Sequence, residues 1–361
     1  MTVRDVVAVL CVTLLLVGCG RQESGPDPMT RYTLIHDGLE REYFVFLPSD
    51  YHDSRDSPLV IFMHGYGGTA TGTEAEVTQG LNFYAEKAGY VAVYPQSTWF
   101  MADPGTDEQW EVTSWNHISD GFDRGPSGPI CESKVPQTLC PPECGDCGNC
   151  GWASCNDDVG FLRALVAEMH ATHAIDDVFV SGFSNGAMMA NRVACEASEL
   201  FSGAMLVGGR VEKGFECTPT KPLPLLQVNG GADATVPADG SVSRRGYHYS
   251  DTRSIAHHWQ DGAACAAKRA SWTSPAVEDT TAECTIACPD SAAVSVDCLW
   301  PEGNHRWPGT DDFRGSNGYC VTELQSASMP DQLICIDPDP DTNFWGSTLM
   351  FEFFDTHRSS R

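Results

Sequence analysis

Short, unbroken apolar runs recur along this chain, and stretches at helical spacing fall between several of them. Pro58–Met63 and Tyr90–Tyr94 carry apolar side chains at every position, as strands covered on both faces do. A one-sided antiparallel sheet would need alternation with polar residues, so these runs point to a mostly parallel sheet sandwiched between helices. Tyr32–Ile35 and Glu42–Leu47 read as an earlier strand pair, and Glu74–Lys87 as a helix. Val159, Leu162, Leu165, Val166 and Met169 fall on one helical face, opened by Asn156-Asp157-Asp158, whose side chains suit a helix cap. Strand Asp177–Val180, helix Asn185–Cys195, strands Ala204–Val207 and Pro224–Val228, a helix near Ser250–Gln260 and a strand near Ala293–Trp300 follow. The final helix, Asn343–Thr356, presents Phe344, Leu349, Phe351 and Phe354. The order predicts a single α/β domain over residues 31–361 with helices on both faces of the sheet. Two stretches break the rhythm. Residues 101–156 show no helix or strand periodicity and read as a long insert. Residues 263–298 hold Cys265, Cys284, Cys288 and Cys298 and read as a stapled β excursion.

The chain holds 16 cysteines, which fits poorly with a reducing cytoplasm. Residues 1–18 read as an export signal: Arg4 precedes the apolar run Val6–Val17, too short for a membrane span of about 20 residues. Leu16-Val17-Gly18-Cys19 resembles the lipobox of bacterial lipoproteins, in which cleavage before the cysteine is accompanied by attachment of diacylglycerol to its sulfur. Gly20 in place of Asp resembles the outer-membrane sorting pattern. Residues 19–30, rich in Pro and Gly, read as a tether from that anchor. With Cys11 lost and Cys19 acylated, 16 − 2 = 14 cysteines remain, an even set expected to form disulfides of undetermined connectivity. The expected location is the cell surface, outer membrane or exterior, with the lipid anchor as the membrane contact. With 49 acidic against 22 basic residues the net charge is −27, and no basic stripe exists to engage nucleic acid.

Gly182-Phe183-Ser184-Asn185-Gly186 is a Gly-x-Ser-x-Gly sequence at the junction of a buried-type strand and a helix, the setting of a nucleophile elbow. There the Ser184 hydroxyl lies at the amino end of a helix, where negative charge is favoured. Activation needs a base. Five histidines come after it in the chain: His248, His257, His258, His305 and His357. His257 and His258 fall within a helix and His357 in the tail after the last one. His305, in a loop directly after a strand, is the expected base, and Asp233, in the turn after strand Pro224–Val228, the expected acid. The chain order Ser184, Asp233, His305 is that of an α/β-hydrolase. His64-Gly65-Tyr66-Gly67-Gly68, at the end of strand Pro58–Met63, is the expected oxyanion loop. Its Tyr66 N–H and the Asn185 N–H are the candidate donors.

These motifs, with Tyr94-Pro95-Gln96, Asp157-Asp158-Val159-Gly160-Phe161, Ala187-Met188-Met189 and His305-x-Trp307-Pro308-Gly309, resemble the polyhydroxybutyrate depolymerase/feruloyl esterase family, the first family of carbohydrate esterases. The resemblance spans about residues 31–310. It implies an α/β-hydrolase fold, a serine esterase that forms an acyl-enzyme without a cofactor or metal, and a triad at Ser184, Asp233 and His305. It also implies an ester substrate: feruloyl or acetyl esters on plant polysaccharide, or a hydroxyalkanoate polyester. Trp115 and Trp307, with Trp110 and Trp152, are candidate surfaces for stacking on a sugar or phenolic ring, or else core. The departure from the family is the insert. About forty residues separate Asn116 from Asp157, and they hold Cys131, Cys140, Cys144, Cys147, Cys150 and Cys155. Their Cys-x2-Cys-x2-Cys core superficially suggests zinc or an iron–sulfur cluster, and export favours disulfides instead. The acidic run Asp337–Asp341 reads as a solvated loop.

Overall fold

The apolar runs form the centre of one ten-stranded sheet. The structure is a computed structural model that describes residues 29–78, 80–102, 110–117, 124–125, 128–129, 154, 156–244, 247–260, 265, 268–310 and 344–359. In chain order the elements used below are strands β1 (Thr30–His36), β2 (Leu39–Phe46) and β3 (Ser57–Met63), helix α1 (Leu81–Ala88), then β4 (Val91–Pro95), β5 (Thr98–Ala102) and β6 (Trp110–Ser114). Helix α2 (Asp158–Thr172), β7 (Ile175–Phe183), α3 (Asn185–Glu196), β8 (Gly203–Val207), β9 (Leu225–Gly230) and α4 (Thr252–Trp259) come next. β10 (Arg269–Trp272), β11 (Glu283–Ala287), β12 (Ser295–Trp300) and α5 (Trp345–Asp355) complete the set.

The spatial order is β1-β2-β4-β3-β7-β8-β9-β12-β11-β10. Six neighbouring strands, β4 through β12, run parallel, with antiparallel pairs at both edges. The consequence for function is direct. Parallel strands bring all their carboxyl ends to one edge, so the loops after β3, β7, β9 and β12 gather there.

Alternation along β3 shows how both faces are filled. Leu59, Ile61 and Met63 join one core cluster with Phe161 and Leu165 of α2, Met189 and Val193 of α3, and Ile255 and Trp259 of α4. Val60 and Phe62 join the other, with Leu81 and Tyr84 of α1 and Leu349 and Phe354 of α5. Each large side chain buried in this way stabilises by about 1.5–3 kcal/mol, which dwarfs exposed ion pairs such as Arg163–Glu199. Among the described residues no helix is long and apolar enough to cross a membrane.

Three expectations need correction. The single helix over Glu74–Lys87 is instead a short turn (Ala70–Gly72), a π-helical turn (Thr73–Val77) and α1; Gly80, at φ 102°, holds a left-handed conformation that no helix continues through. The stretch from residue 101 contains a strand after all: β6 pairs antiparallel with β5 from Thr98↔Ser114 to Ala102↔Trp110. β1 begins at Thr30, within the stretch expected to be a tether.

The excursion near 263–298 is stapled as expected. It supplies β10–β12, with Cys265 bonded to Cys288 and Cys284 to Cys298 across the β11–β12 pair. A third disulfide, Cys195–Cys217, ties the end of α3 to the loop after β8. The expected signal, Cys19, the six insert cysteines, Trp152 and Asp337–Asp341 lie outside the described residues. Both ends of the insert are described, and one carboxylate holds them. Asp158 Oδ2 accepts from the Asn116 N–H at 2.7 Å and the Ser154 hydroxyl at 3.2 Å, while Oδ1 accepts from Arg41 at 2.7 Å.

Candidate active site

Ser184 sits between β7 and α3 with φ 56° and ψ −122°, a conformation that costs a non-glycine residue about 1–3 kcal/mol. Its N–H donates to the Val207 carbonyl at 2.9 Å, which fixes the turn against β8. The two motif glycines are there for room. A Cβ on Gly182 would overlap the backbone of Gly186, and one on Gly186 would overlap the Met63 and His64 carbonyls. The nucleophile turn is therefore pressed directly against the end of β3.

The three expected side chains meet. His305 Nε2 lies 2.8 Å from Ser184 Oγ, and His305 Nδ1 lies 2.7 Å from Asp233 Oδ2. Asp233 is buried, and its Oδ1 accepts from the Thr235 N–H at 2.7 Å and the Val236 N–H at 2.9 Å. The carboxylate is thereby fixed with one oxygen left for the imidazole. The histidine loop is fastened to the acid loop, since the Gly231 N–H donates to Trp300 O at 2.7 Å and the Ala232 N–H to Gly303 O at 2.9 Å. Buried Arg210 donates from Nη2 to Val236 O at 2.8 Å. Burial lowers its pKa to about 10, with Asp233, Asp239 and Asp251 acting in the opposite sense, so it remains a cation at neutral pH beneath the acid loop.

The glycine-rich loop after β3 lies beside the serine. A Cβ on Gly65 would stand 3.4 Å from Ser184 Cβ. Gly67 N–H donates to Thr113 O at 2.9 Å and Gly68 N–H to Gly65 O at 3.0 Å, which folds the loop around Tyr66. His64 anchors it from below. The Ser97 N–H donates to His64 Nε2 at 3.1 Å, so the ring proton resides on Nδ1, which donates to Gly65 O at 2.8 Å. Burial, with Arg41 adding to it, pushes the His64 pKa down to about 4, and the ring is neutral at pH 7.

The two expected stacking tryptophans are core residues. Trp115 is fully buried against His64, and its Nε1–H donates to His64 O at 2.9 Å. Trp307 packs edge-on to Phe62 at 5.0 Å and donates to Ser347 Oγ at 3.0 Å. Neither presents a ring face to a ligand; both hold site loops onto the core. His257 and His258 lie in the last turn of α4 and His357 lies just after α5, as expected, and the imidazole at Ser184 Oγ is that of His305. A cleft of about 480 Å³ opens on the Asp233 loop, lined by Asp233, Asp239, Val242, Arg244 and Leu299. It flanks the acid but is not lined by Ser184.

Two residues that sequence reasoning missed, His117 and Glu212, lie beneath the nucleophile and reach it through the Asn185 side chain. Asn185 is buried, and its side-chain Oδ1 accepts from the Trp115 N–H at 2.9 Å while Nδ2 contacts His117 Nδ1 at 2.9 Å. His117 Nε2 in turn lies 3.0 Å from Glu212 Oε1, both side chains fully buried. Only the adjacency of His117 to Trp115-Asn116 hinted at this.

A parallel sheet whose carboxyl edge carries an elbow serine, with an acid and then a histidine later in the chain, defines an α/β-hydrolase fold. No family model matches the chain. It is 29% identical over 272 residues to the protein assigned as esterase NocK of Nocardia uniformis, covering 70% of this chain and 66% of that one. It is 23% identical over 233 residues to the protein assigned as feruloyl esterase C of Aspergillus flavus, covering 63% and 65%. Among solved structures, acetyl xylan esterase from Aspergillus awamori aligns with a TM-score of 0.48 at 15% identity, over 77% of this chain and 94% of that one. By sequence, then, the chain is similar to esterases, proteins assigned as feruloyl esterases among them. It spans just under two thirds of the length of NocK and of the Aspergillus flavus relative.

Proposed function

We propose that this protein is an exported serine carboxylic ester hydrolase. The observation that carries the reading is the unbroken hydrogen-bonded line from Ser184 Oγ through His305 to Asp233, at 2.8 and 2.7 Å, on the strained turn that opens α3. In the proposed reaction His305 Nε2 takes the Ser184 proton as Oγ attacks the ester carbonyl carbon. The N–H groups of Asn185 and Tyr66 receive the developing alkoxide. Asp233 holds the Nδ1–H tautomer and stabilises the imidazolium without itself taking the proton. His305 then protonates the departing alcohol, leaving an acyl-Ser184 ester. Water, deprotonated by the same imidazole, attacks that ester and releases the acid and free serine.

The proposed substrates are feruloyl or acetyl esters on plant polysaccharide, and the sequence relatives assigned as feruloyl esterases support the feruloyl part of that reading; hydroxyalkanoate esters are the alternative acyl class. Three disulfides among the described residues support an oxidising compartment, in keeping with export of a single catalytic domain over residues 31–361 behind a signal and a lipid anchor at Cys19. The test is hydrolysis of methyl ferulate, acetylated xylan and short hydroxybutyrate oligomers, with fluorophosphonate labelling of wild type and Ser184→Ala. Labelling and turnover that both vanish in Ser184→Ala are expected, with a preference for feruloyl or acetyl esters. Turnover that survives the substitution would refute the mechanism. A wild type inert to label and esters alike would instead indicate a non-catalytic surface protein.

A further inference from the structure

We infer that His117 and Glu212 are positioning residues that set the oxyanion donor of Asn185; this inference rests on the ester-hydrolase reading. Asn185 is the first residue of α3, and its backbone N–H is the donor assigned to the tetrahedral oxygen. Its position is governed by what grips its side chain. The Trp115 N–H occupies Asn185 Oδ1 at 2.9 Å, so the amide nitrogen must face His117 and donate to Nδ1 at 2.9 Å. With Nδ1 accepting, the His117 proton resides on Nε2 and donates to Glu212 Oε1 at 3.0 Å. The Trp115 carbonyl, 3.2 Å from the same Nδ1, is then a neighbour and not a bonding partner. Asn185, His117 and Glu212 are all buried, Glu212 without measurable exposure, so water cannot substitute for a missing partner.

Asn185, His117 and Glu212 come from three different segments of the chain. Trp115 and His117 belong to the stem by which the insert leaves the domain. Glu212 lies in the loop after β8, five residues before Cys217, whose disulfide to Cys195 ties that loop to the other end of α3. The amino end of α3 is thus fixed from two sides. The His117 imidazole acts on the reaction only through Asn185, because the proton-transfer partner of Ser184 is already His305. A pair that aligns a donor affects the transition state more than substrate binding.

The experiment measures kcat, KM and the pH dependence of kcat/KM for wild type, Ser184→Ala, Glu212→Gln, Glu212→Ala and His117→Phe, using p-nitrophenyl acetate, with thermal unfolding in parallel. Outright loss of an oxyanion donor costs about 10²–10³-fold in kcat, and a donor kept but misaligned should cost about 10- to 100-fold. Glu212→Ala and His117→Phe should therefore lose about 10- to 100-fold in kcat with KM changed less than about twofold, and with the pH profile of kcat/KM keeping its wild-type shape. Glu212→Gln, whose amide oxygen still accepts from His117, should recover most of the rate. If Glu212→Ala fails to fold, the comparison of His117→Phe with Glu212→Gln decides. A folded Glu212→Ala or His117→Phe with wild-type kcat overturns the inference alone, as does a Glu212→Gln no faster than Glu212→Ala. Wild-type turnover that persists in Ser184→Ala overturns the hydrolase reading and the inference with it.

Discussion

His64 should make the protein sensitive to acid in a way that a single substitution removes. Its ring is fully buried between Trp115 and the Gln96–Ser97 turn, with Nε2 accepting from the Ser97 N–H. A second proton on Nε2 would point at that donor, and burial alone already disfavours the cation; its pKa falls from 6.5 to about 4. The unfolded chain therefore binds a proton at this site from about pH 6.5 downward, while the native state resists until about pH 4. Stability rises with pH where the unfolded state holds more protons, so this group's contribution is intact above pH 6.5 and lost as pH falls towards 4. The linkage gives a loss of about 2 kcal/mol between pH 7.5 and pH 5, approaching about 3 kcal/mol near pH 4. His64→Gln keeps an acceptor near the Ser97 N–H but cannot titrate. Urea unfolding of both proteins at a series of pH values isolates the effect, since every other ionisable group is common to the pair. At pH 7.5 the wild type should be the more stable by about 1–2 kcal/mol, the worth of the weakened Gly65 contact. By pH 5 that gap should close or reverse. A gap that stays constant within about 0.5 kcal/mol from pH 7.5 to pH 5 would show that His64 is not held neutral by its surroundings, and the argument would fail.

The elbow should be a site where stability has been given up for geometry: Ser184→Gly, freed of the φ 56° strain, should unfold at a higher temperature than Ser184→Ala, by about 1 kcal/mol after glycine's own entropy is subtracted. An alanine variant equal to or more stable than the glycine variant would contradict the strain argument. Arg41→Met leaves Asp158 buried with no cation, and should destabilise by about 3 kcal/mol in urea unfolding. A loss under about 1 kcal/mol would mean that the Asn116 and Ser154 donors alone satisfy the carboxylate.

Legibility in the sequence was greatest for whatever depends on strand ends. Ser184 is announced by its own neighbours, because a tight strand–helix turn needs Gly182 and Gly186 locally. Asp233 and His305 were legible for a different reason. Each comes directly after an apolar run, and parallel strands deliver their C-terminal loops to one edge regardless of the 49 or 72 positions between. The tryptophans were not legible, because an indole ring is equally suited to stacking on a ligand and to filling a core. Trp115 is decided by a carbonyl 51 residues earlier and Trp307 by a hydroxyl 40 residues later. The broken helix before β4 turned on one backbone angle at Gly80, which apolar spacing does not register. His117 and Glu212 lie 95 residues apart on irregular segments, where neither period nor motif exists to relate them.

Several buried ionisable groups share a location, and that location accounts for their presence; Asp177, buried near the amino end of β7, lies apart from them. Arg41 with Asp158, His117 with Glu212, neutral His64 and Arg210 all lie in or against the loops that border Ser184. For stability alone, apolar side chains of similar volume would serve these positions as well or better, since removing charge from water is costly even when the charge is paired. Directional bonds do what apolar contacts cannot. They fix the ends of irregular backbone, which has no ladder of its own, to within hydrogen-bonding tolerance. Asp158 closes the two ends of the insert against each other, His117 joins that stem to the start of α3, and His64 holds the glycine loop at the end of β3. A long insertion can thus leave the domain between β6 and α2 without loosening the turn that carries the nucleophile.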